Sequence, residues 1–274
     1  MRLAFLGTPD AAVPTLQALV AEGHEVVVAV TQPDKKRGRG STLMPSPVKE
    51  AAEQLGIPVA HQVDAVLDTD AELGVVVAFG KLIKPHVLER LPMVNVHFSL
   101  LPRWRGAAPV ERALLAGDKE TGVCLMALDE GLDTGPVYTR ATTPIGPEDT
   151  ADDLRHRLVE IGTRLLVDRL QTGLGDPEPQ EGEPTYAAKL EAHEFEIDWS
   201  RPADEVHRLI RLGRAWTTFR GKRLRVLKAT ADQEAQGYTT SNGLVLTEVQ
   251  PEGKGPMAAT AWVNGARPQP GELA

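Results

Sequence analysis

Residues 2–30 read RLAFLGTPDAAVPTLQALVAEGHEVVVAV, and this stretch indicates the fold class. An apolar run ends at Gly7, residues 11–22 have the apolar spacing of a helix, and a β-branched run fills residues 24–30. Continuous β-branched runs are typical of strands that are buried on both faces of a sheet. The order strand, helix, strand therefore predicts a parallel, doubly wound α/β sheet.

The same alternation continues through the first 172 residues. Pro47 suits the first position of a predicted helix at residues 46–55, and further helices are predicted at residues 108–116 and 150–171. The remaining strands are predicted at residues 74–79, 94–98, 124–128 and 137–145. We therefore expect a mostly parallel, doubly wound, Rossmann-like catalytic domain over residues 1–172.

The composition changes after residue 172. Residues 173–187, GLGDPEPQEGEPTYA, are rich in proline, glycine and acidic residues and predict a linker, which we extend over residues 173–200. A helix at residues 202–212 and short strands at residues 223–228, 243–249 and 258–263 follow. This pattern predicts a basic, shortened, OB-like β-barrel domain over residues 201–274.

Composition excludes several classes of protein. The single cysteine, Cys124, excludes an internal disulfide and a thiolate metal cluster, and no two of the seven histidines have metal-ligand spacing, so we expect no metal. No apolar stretch approaches the roughly 20 residues of a membrane span. The chain also enters an apolar run directly after Arg2, which leaves no room for a signal segment. We expect a cytoplasmic monomer that does not bind membranes.

Charge is unevenly distributed along this acidic chain. The net charge is −8, which argues against indiscriminate nucleic-acid binding. Residues 34–39 nevertheless read DKKRGR, and residues 201–228 carry nine basic side chains against only Asp204 and Glu205. Concentrated positive charge of this kind predicts binding of a polyanion at a defined place, and two solvated charged faces are the alternative.

The loop after the first strand disfavours a nucleotide cofactor. Residues 7–10 read GTPD, with one glycine and an acid where a dinucleotide-binding loop needs GxGxxG and space for a pyrophosphate. A nucleotide-dependent oxidoreductase is therefore disfavoured.

Residues 95–109, NVHFSLLPRWRGAAP, carry the strongest chemical signal. Side chains alternate along a strand, so Asn95, His97 and Ser99 are predicted to lie on one side, at the strand end where open α/β sheets bind ligands. Residues 128–136, LDEGLDTGP, predict a tight loop that holds Asp133 at the end of another strand. A hydrogen-bonded core histidine and an ordinary acidic turn are the alternatives. An amide, an imidazole and a carboxylate suit acyl transfer to an amine without a covalent enzyme intermediate.

Three motifs resemble the family of formyltransferases that use 10-formyltetrahydrofolate. They are the Asn-x-His strand at Asn95, SLLP at residues 99–102 and GLDTG at residues 131–135. The branch that formylates methionyl-tRNA is similar at further places: GTPD at 7–10, TQPD at 31–34, GRG at 38–40, LMPSPVK at 43–49 and SLLPRWRGAAP at 99–109. The resemblance runs nearly continuously from residue 1 to about residue 230.

The resemblance implies formyl transfer from 10-formyltetrahydrofolate to the α-amino group of methionyl initiator tRNA. Asn95 would donate to the oxyanion, and His97 with Asp133 would manage proton movement. The folate site would include, with the last residue the weakest candidate, Ser99, Leu100, Leu101, Pro102 and Leu82. The basic loop would hold the acceptor stem through Lys35, Lys36, Arg37, Arg39 and Lys49. The second domain would follow tRNA phosphates through Arg214, Arg220, Lys222 and Arg223.

Three departures accompany the resemblance. Phe98 stands where the family usually has glycine, and strand alternation predicts that its ring points away from the His97 face. Residues 213–217, GRAWT, lack the prolines of the family's NPWP-like segment, and the C-terminal domain is shorter than the family's.

Two kinds of alternative remain at this point. One keeps the chemistry and changes the acceptor, as in a formyltransferase for a sugar nucleotide or a ribotide, or a formyltetrahydrofolate hydrolase. LMPSPVK and the basic segments favour tRNA over these. The other is a tRNA-binding homologue without catalysis, which the presence of Asn95, His97 and Asp133 together disfavours.

Overall fold

The computed structural model describes residues 1–36, 43–269 and 271–273, with Lys36 as backbone only. Its contacts divide the chain into two compact units. The first unit consists of Met1–Pro109, Glu120–Thr143 and Arg155–Ala187. The second consists of Val110–Lys119, Pro144–Leu154 and Ala188–Ala274. Both units therefore draw on more than one stretch of sequence.

Strands and helices alternate over the first 172 residues. In chain order they are β1 (Arg2–Gly7), α1 (Val13–Ala21), β2 (Glu25–Val30), β3 (Lys35–Lys36), β4 (Leu43–Met44), α2 (Pro47–Gln54), β5 (Val59–Ala60), β6 (Leu73–Val77), α3 (Pro85–Leu88), β7 (Met93–His97), α4 (Pro109–Ala116), β8 (Glu120–Ala127), β9 (Val137–Pro144) and α5 (Ala151–Thr172). Pro47 opens α2 as predicted, behind Ser46, whose hydroxyl accepts the Lys49 N–H at 3.0 Å.

The first unit is built on a mostly parallel sheet, which confirms the predicted fold class. Its strand order over the described residues is β5-β2-β1-β6-β7-β8-β9. Parallel pairing joins β5 to β2, β2 to β1, β1 to β6 and β6 to β7, whereas β8 runs antiparallel to β7. The chain passes from β1 to one side of the sheet and later returns to the other side with β6. Open α/β sheets bind ligands at such a switch point, beyond the carboxyl ends of the strands.

Apolar burial fixes the central strands of this sheet. Leu3, Phe5 and Leu6 of β1 have no exposed surface, and all five residues of β7 are buried. Burial of one such large apolar side chain contributes about 1.5–3 kcal/mol. Gly74 of β6 leaves room for the side chain of Met93, because a Cβ at this glycine would overlap it. Apolar packing therefore stabilises the strands that carry the site.

The C-terminal part of the second unit is a small, curled antiparallel sheet that forms half of a barrel. Its elements are α6 (Ala203–Ile210), β10 (Trp216–Phe219), β11 (Lys222–Thr230), β12 (Tyr238–Thr239), β13 (Val245–Pro251), β14 (Met257–Ala258) and α7 (Ala259–Ala266). The strand order is β10-β11-β13-β12, and β14 also pairs with β13. Trp262 packs edge-on against Phe219 and Tyr238, with ring centroids 5.1 and 5.6 Å apart.

The prediction of a strand at residues 258–263 is wrong. Only Met257–Ala258 form a strand there, and Ala259–Ala266 form helix α7. Ala259 and Trp262 are buried three residues apart, which is the spacing of a helix face. A short apolar run is compatible with either structure by periodicity, so packing of the tryptophan against the sheet decides between them.

No helix in the described part of the chain is both long enough and apolar enough to cross a membrane.

The fold predicts opposite effects of one substitution at two glycines. Gly122→Ala should lower the free energy of unfolding by about 1–3 kcal/mol, because a Cβ would collide with the Ala141 carbonyl oxygen and the Leu100 side chain. Gly265→Ala should raise it by about 0.5–1 kcal/mol, because Gly265 lies in α7 and an added Cβ would meet nothing within 4 Å.

Urea unfolding of both variants checks this prediction. Gly→Ala lowers the conformational entropy of the unfolded chain equally in both variants. The difference between their free energies of unfolding therefore reports contacts in the folded state. A destabilised Gly265→Ala variant would contradict the helical assignment of α7.

Candidate active site

A cavity of about 540 Å³ lies beyond the carboxyl ends of β1, β6 and β7. Small-molecule sites in proteins have volumes of about 300–1,000 Å³ and mostly apolar walls with a few polar groups. The cavity is lined by Pro9, Val76, Ala78, Phe79, Gly80, Lys81, Leu82, Ile83, Asn95, Val96, His97, Phe98, Gly106, Ala107, Pro109, Leu128, Asp129, Gly131, Leu132 and Asp133. Its place in the sheet is the one that the topology predicts for a ligand.

Two polar side chains of β7 reach this cavity. Asn95 and His97 are 9% and 6% exposed, on a strand flanked by β6 and β8. Polar groups at such a position cost free energy unless they are paired. The His97 ring is paired, because its Nε2 donates to the Trp104 carbonyl oxygen at 2.9 Å. That hydrogen bond places a proton on Nε2 and directs Nδ1 towards Asp133.

Asp133 reaches His97 from a loop that folds back. The strand before it, β8, runs antiparallel to β7 and ends at Ala127 opposite Val94, away from the carboxyl end of β7. The 128–136 loop then returns, so that Asp133 Oδ2 lies 3.7 Å from His97 Nδ1 and accepts the Gly106 N–H at 2.7 Å. The 3.7 Å separation is too long for a direct hydrogen bond. A single donor nitrogen beside the pair, within hydrogen-bond distance of both atoms, can donate to both.

The Ser99–Pro102 run braces a loop and does not line the described cavity. Ser99 has no exposed surface, and its hydroxyl donates to the Arg103 carbonyl oxygen at 2.6 Å. Leu101 is 1% exposed and packs in a cluster with Cys124. Leu100 and Pro102 are also absent from the cavity walls among the residues described. These four residues shape the loop that presents the Trp104 carbonyl, and their contact with folate stays a prediction.

Apolar residues form much of the remaining wall. Leu82, predicted at the folate site, lines the cavity and is 76% exposed, while Phe79 beside it is buried. Phe98 also contributes to the wall. Strand β7 ends at His97, so the alternation that was expected to send Phe98 away from the cavity no longer applies at residue 98.

Two functional groups that the sequence analysis missed belong to the backbone, so no side-chain type in the sequence marks them. The Trp104 carbonyl and the Gly106 N–H contact His97 and Asp133 respectively. Gly106 has φ of 115°, and a Cβ there would come within 3.0 Å of the Ala187 carbonyl oxygen. In the sequence, only the glycine of the RWRGAAP run, Gly106, indicated that the backbone comes this close to Ala187.

The predicted tRNA contacts of the basic loop divide into three groups. Lys49 Nζ donates to both carboxylate oxygens of Asp34, at 2.9 and 2.8 Å, and this partner raises the pKa of Lys49. Lys35 Nζ donates to Gln32 Oε1. The Lys36 side chain, Arg37 and Arg39 lie outside the described residues. Lys49 therefore already has an acidic partner in Asp34, and it would have to exchange this partner to bind a tRNA phosphate.

Acidic residues distant in sequence neutralise part of the basic 201–228 segment. Arg220, predicted to contact tRNA, forms a two-point ion pair with Glu272 at 2.6 and 3.0 Å and also donates to the Ala266 carbonyl. Lys228 pairs with Glu248 at 2.9 Å. The sequence count of nine basic residues against two acids therefore overstates the free positive charge.

The other three predicted contacts of this segment are exposed, as Arg220 is. The Arg223 guanidinium lies over the Trp216 ring at 3.9 Å, and that of Arg214 lies over the Phe195 ring at 4.2 Å. Lys222 is exposed at the start of β11. Stacking on an aromatic face pre-organises an arginine and leaves its edge N–H groups for an anion.

The sequence matches the two families of a known enzyme class. Residues 1–170 match the family described as "Formyl transferase", and residues 189–267 match "Formyl transferase, C-terminal domain". The chain is 41% identical over 312 residues to the methionyl-tRNA formyltransferase of Heliobacterium modesticaldum, with 99% of each chain covered. It is 44% identical over 301 residues to that of a Jannaschia species, with 100% of this chain and 99% of the relative covered.

Solved structures show the same fold at lower identity. A methionyl-tRNA formyltransferase from Clostridium thermocellum has a TM-score of 0.65 and 18% identity, covering 93% of this chain and 100% of that one. An N-formyltransferase from Helicobacter canadensis, in complex with folinic acid and dTDP-3-aminofucose, has a TM-score of 0.68 and 21% identity, covering 86% and 90%. With both family matches and full-length relatives above 40% identity, the chain belongs to the formyl transferase family.

Proposed function

We infer that this chain transfers the formyl group of 10-formyltetrahydrofolate to the α-amino group of methionyl initiator tRNA, for translation initiation. The observation that carries this inference is the convergence of Asn95, His97 and Asp133 on one cavity. These groups suit amine acylation, and full-length relatives 41% and 44% identical are methionyl-tRNA formyltransferases. Because aminoacyl-tRNA is used where ribosomes work, we place the reaction in the cytoplasm.

We propose that this cavity binds the folate, with its formyl group at Asn95. Its apolar wall, with Phe79, Leu82 and Phe98, can cover the flat pterin ring. Asn95 is almost fully buried, so its amide donates in a site of low dielectric constant. It would bind the formyl oxygen most strongly when that oxygen becomes negative in the tetrahedral intermediate.

His97 and Asp133 would handle the protons. The amine nitrogen forms a bond to the formyl carbon, and the bond from that carbon to N10 of the folate breaks. A proton leaves the amine, and N10 gains one. His97 Nδ1 and Asp133 Oδ2, 3.7 Å apart, can both accept hydrogen bonds from one nitrogen that lies beside the pair, about 2.7–3.2 Å from each. An incoming amine at this point is oriented and deprotonated by the same pair.

The second unit supplies a surface for the tRNA backbone. Arg214, Lys222 and Arg223 are exposed, and two of them are stacked on aromatic rings. Fixed arginine edges suit phosphate oxygens, and such contacts give affinity that falls with salt. We propose that these residues and the basic loop, including Arg37 and Arg39, bind the tRNA, and that the protein acts as a monomer.

An assay with competing acceptors tests the proposed function. The purified protein is incubated with formyl-labelled 10-formyltetrahydrofolate and either initiator methionyl-tRNA, elongator methionyl-tRNA, an amino-sugar nucleotide or no acceptor. We expect label in initiator methionyl-tRNA. Label in the sugar nucleotide, or release of formate at an equal rate without acceptor, would overturn the proposal.

Loss of the Asn95 amide should slow the chemical step. Asn95→Ala is expected to lower kcat about 100- to 1,000-fold, because one oxyanion donor is lost, with little change in KM for tRNA. Steady-state formylation rates measure this. Asn264→Ala, at an exposed position of α7, is the matched control and should retain wild-type kcat. Normal turnover of Asn95→Ala would exclude the oxyanion role.

Two arginines of the second unit should behave differently. Arg223→Ala is expected to raise KM for methionyl-tRNA and to reduce the slope of log affinity against log salt by about one, because one phosphate contact is lost. Arg220→Ala should leave both unchanged and lower the melting temperature, because Glu272 loses its partner.

Affinity measurements over a series of salt concentrations and thermal unfolding make the comparison. A reduced salt slope in Arg220→Ala, with none in Arg223→Ala, would contradict the assignment.

A further inference from the structure

The acidic segment of residues 178–187 is fastened to the catalytic loops despite its linker-like composition. At one end, Glu178 and Val137 exchange two backbone hydrogen bonds of 2.7 and 2.9 Å. At the other end, Arg105 donates its N–H to the Thr185 carbonyl at 2.8 Å and accepts from Ala187 N–H at 2.7 Å. The segment therefore spans from the start of β9 to the loop that follows β7.

Gln180 lies inside this segment, and both ends of its side-chain amide are used. Nε2 donates to the carbonyl oxygens of Asp133 and Gly135, each at 2.8 Å. Oε1 accepts from Arg105 Nη2 at 2.7 Å and Nε at 3.1 Å. Only an NH₂ group can donate to two carbonyls and only an oxygen can accept from a guanidinium, so the partners fix the orientation of the amide.

These contacts close a ring around the Asp133 carboxylate. Asp133 Oδ2 accepts the Gly106 N–H, and Gly106 directly follows Arg105, which holds Gln180. Gln180 in turn holds the backbone of Asp133 itself. Asp133 has φ of 51°, in the left-handed region that favours glycine, so its conformation needs external support. The Gln180 amide supplies that support on the backbone side.

We propose that Gln180, held by Arg105, is a positioning residue that fixes Asp133 against His97 for formyl transfer. This inference rests on the proposed function. Gln180 does not touch the reacting atoms and lies outside the cavity walls of the described chain. It acts through the loop that carries the carboxylate, and a small displacement of a catalytic group lowers rate more than binding.

The test uses two substitutions with different chemistry. Gln180→Glu keeps an acceptor for Arg105 but loses both donors and sets a carboxylate against two carbonyl oxygens. Gln180→Met has similar length and loses both the donors and the acceptor. Each is expected to lower kcat about 10-fold, with KM for folate and for tRNA within about twofold of wild type and little change in melting temperature.

Gln233→Glu is the matched control. Gln233 also donates through Nε2 to two backbone carbonyls, those of Ala231 and Gly243, at 3.0 and 2.7 Å, in the second unit. The control should keep wild-type kcat. An equal loss of kcat in Gln233→Glu and Gln180→Glu would overturn the positioning role, because the loss would then follow from general disturbance.

A double-mutant cycle shows whether Gln180 acts through Asp133. In an Asp133→Asn background, Gln180→Met should change kcat by less than about twofold, since the group that it positions has already lost its charge. Multiplicative losses in the double variant, a raised KM with normal kcat, or wild-type kcat in both Gln180 variants would each overturn the proposal. A wild-type protein that formylates no methionyl-tRNA would instead overturn the proposed function, so the two failures are distinguishable.

Discussion

The hydrogen bond from the Gly106 N–H to the Asp133 carboxylate, 2.7 Å long, joins the two loops that form the site. A carboxylate that accepts a backbone N–H forms one of the stronger hydrogen bonds in proteins. The topology alone does not bring Asp133 to His97, because β8 is antiparallel and leaves β7 at its amino end. The loop must return along the sheet edge, and this contact holds it there. Every proposed proton step depends on that arrangement.

The site also requires polar groups on a strand that would be more stable without them. Asn95 and His97 are buried in β7, between two other strands. The Trp104 carbonyl satisfies the imidazole, and the Ser99 hydroxyl satisfies the Arg103 carbonyl in the same loop. Within the SLLPRWRG run, the Trp104 carbonyl therefore pairs the His97 ring, and the Ser99 hydroxyl holds the loop that presents this carbonyl. Retaining polar groups at a cost in stability is expected where they carry function.

Much of the fold and the polar residues of the site could be predicted from local sequence. Some features depend only on neighbouring residues. They are the apolar runs of β1 and β7, Pro47 at the start of α2, and the Asn-x-His pattern. The antiparallel pairing of β8 and the helix α7 depend on tertiary contacts, which periodicity does not encode. The free positive charge of residues 201–228 was overestimated for the same reason. Arg220 pairs with Glu272, which lies 52 positions further along the chain. Residues 178–187 resemble a linker in composition, yet backbone hydrogen bonds fasten them, and composition carries no record of those bonds.

A crystal structure with an unreactive formyl-folate analogue is the most direct measurement of the proposed chemistry. We predict that the formyl oxygen lies about 2.7–3.1 Å from the Asn95 amide nitrogen, with the pterin in the cavity beside Phe79. The open side of the formyl carbon should face both His97 Nδ1 and Asp133 Oδ2, with room for an amine nitrogen between the carbon and this pair. A folate bound elsewhere, or a formyl group out of reach of Asn95, would contradict this mechanism.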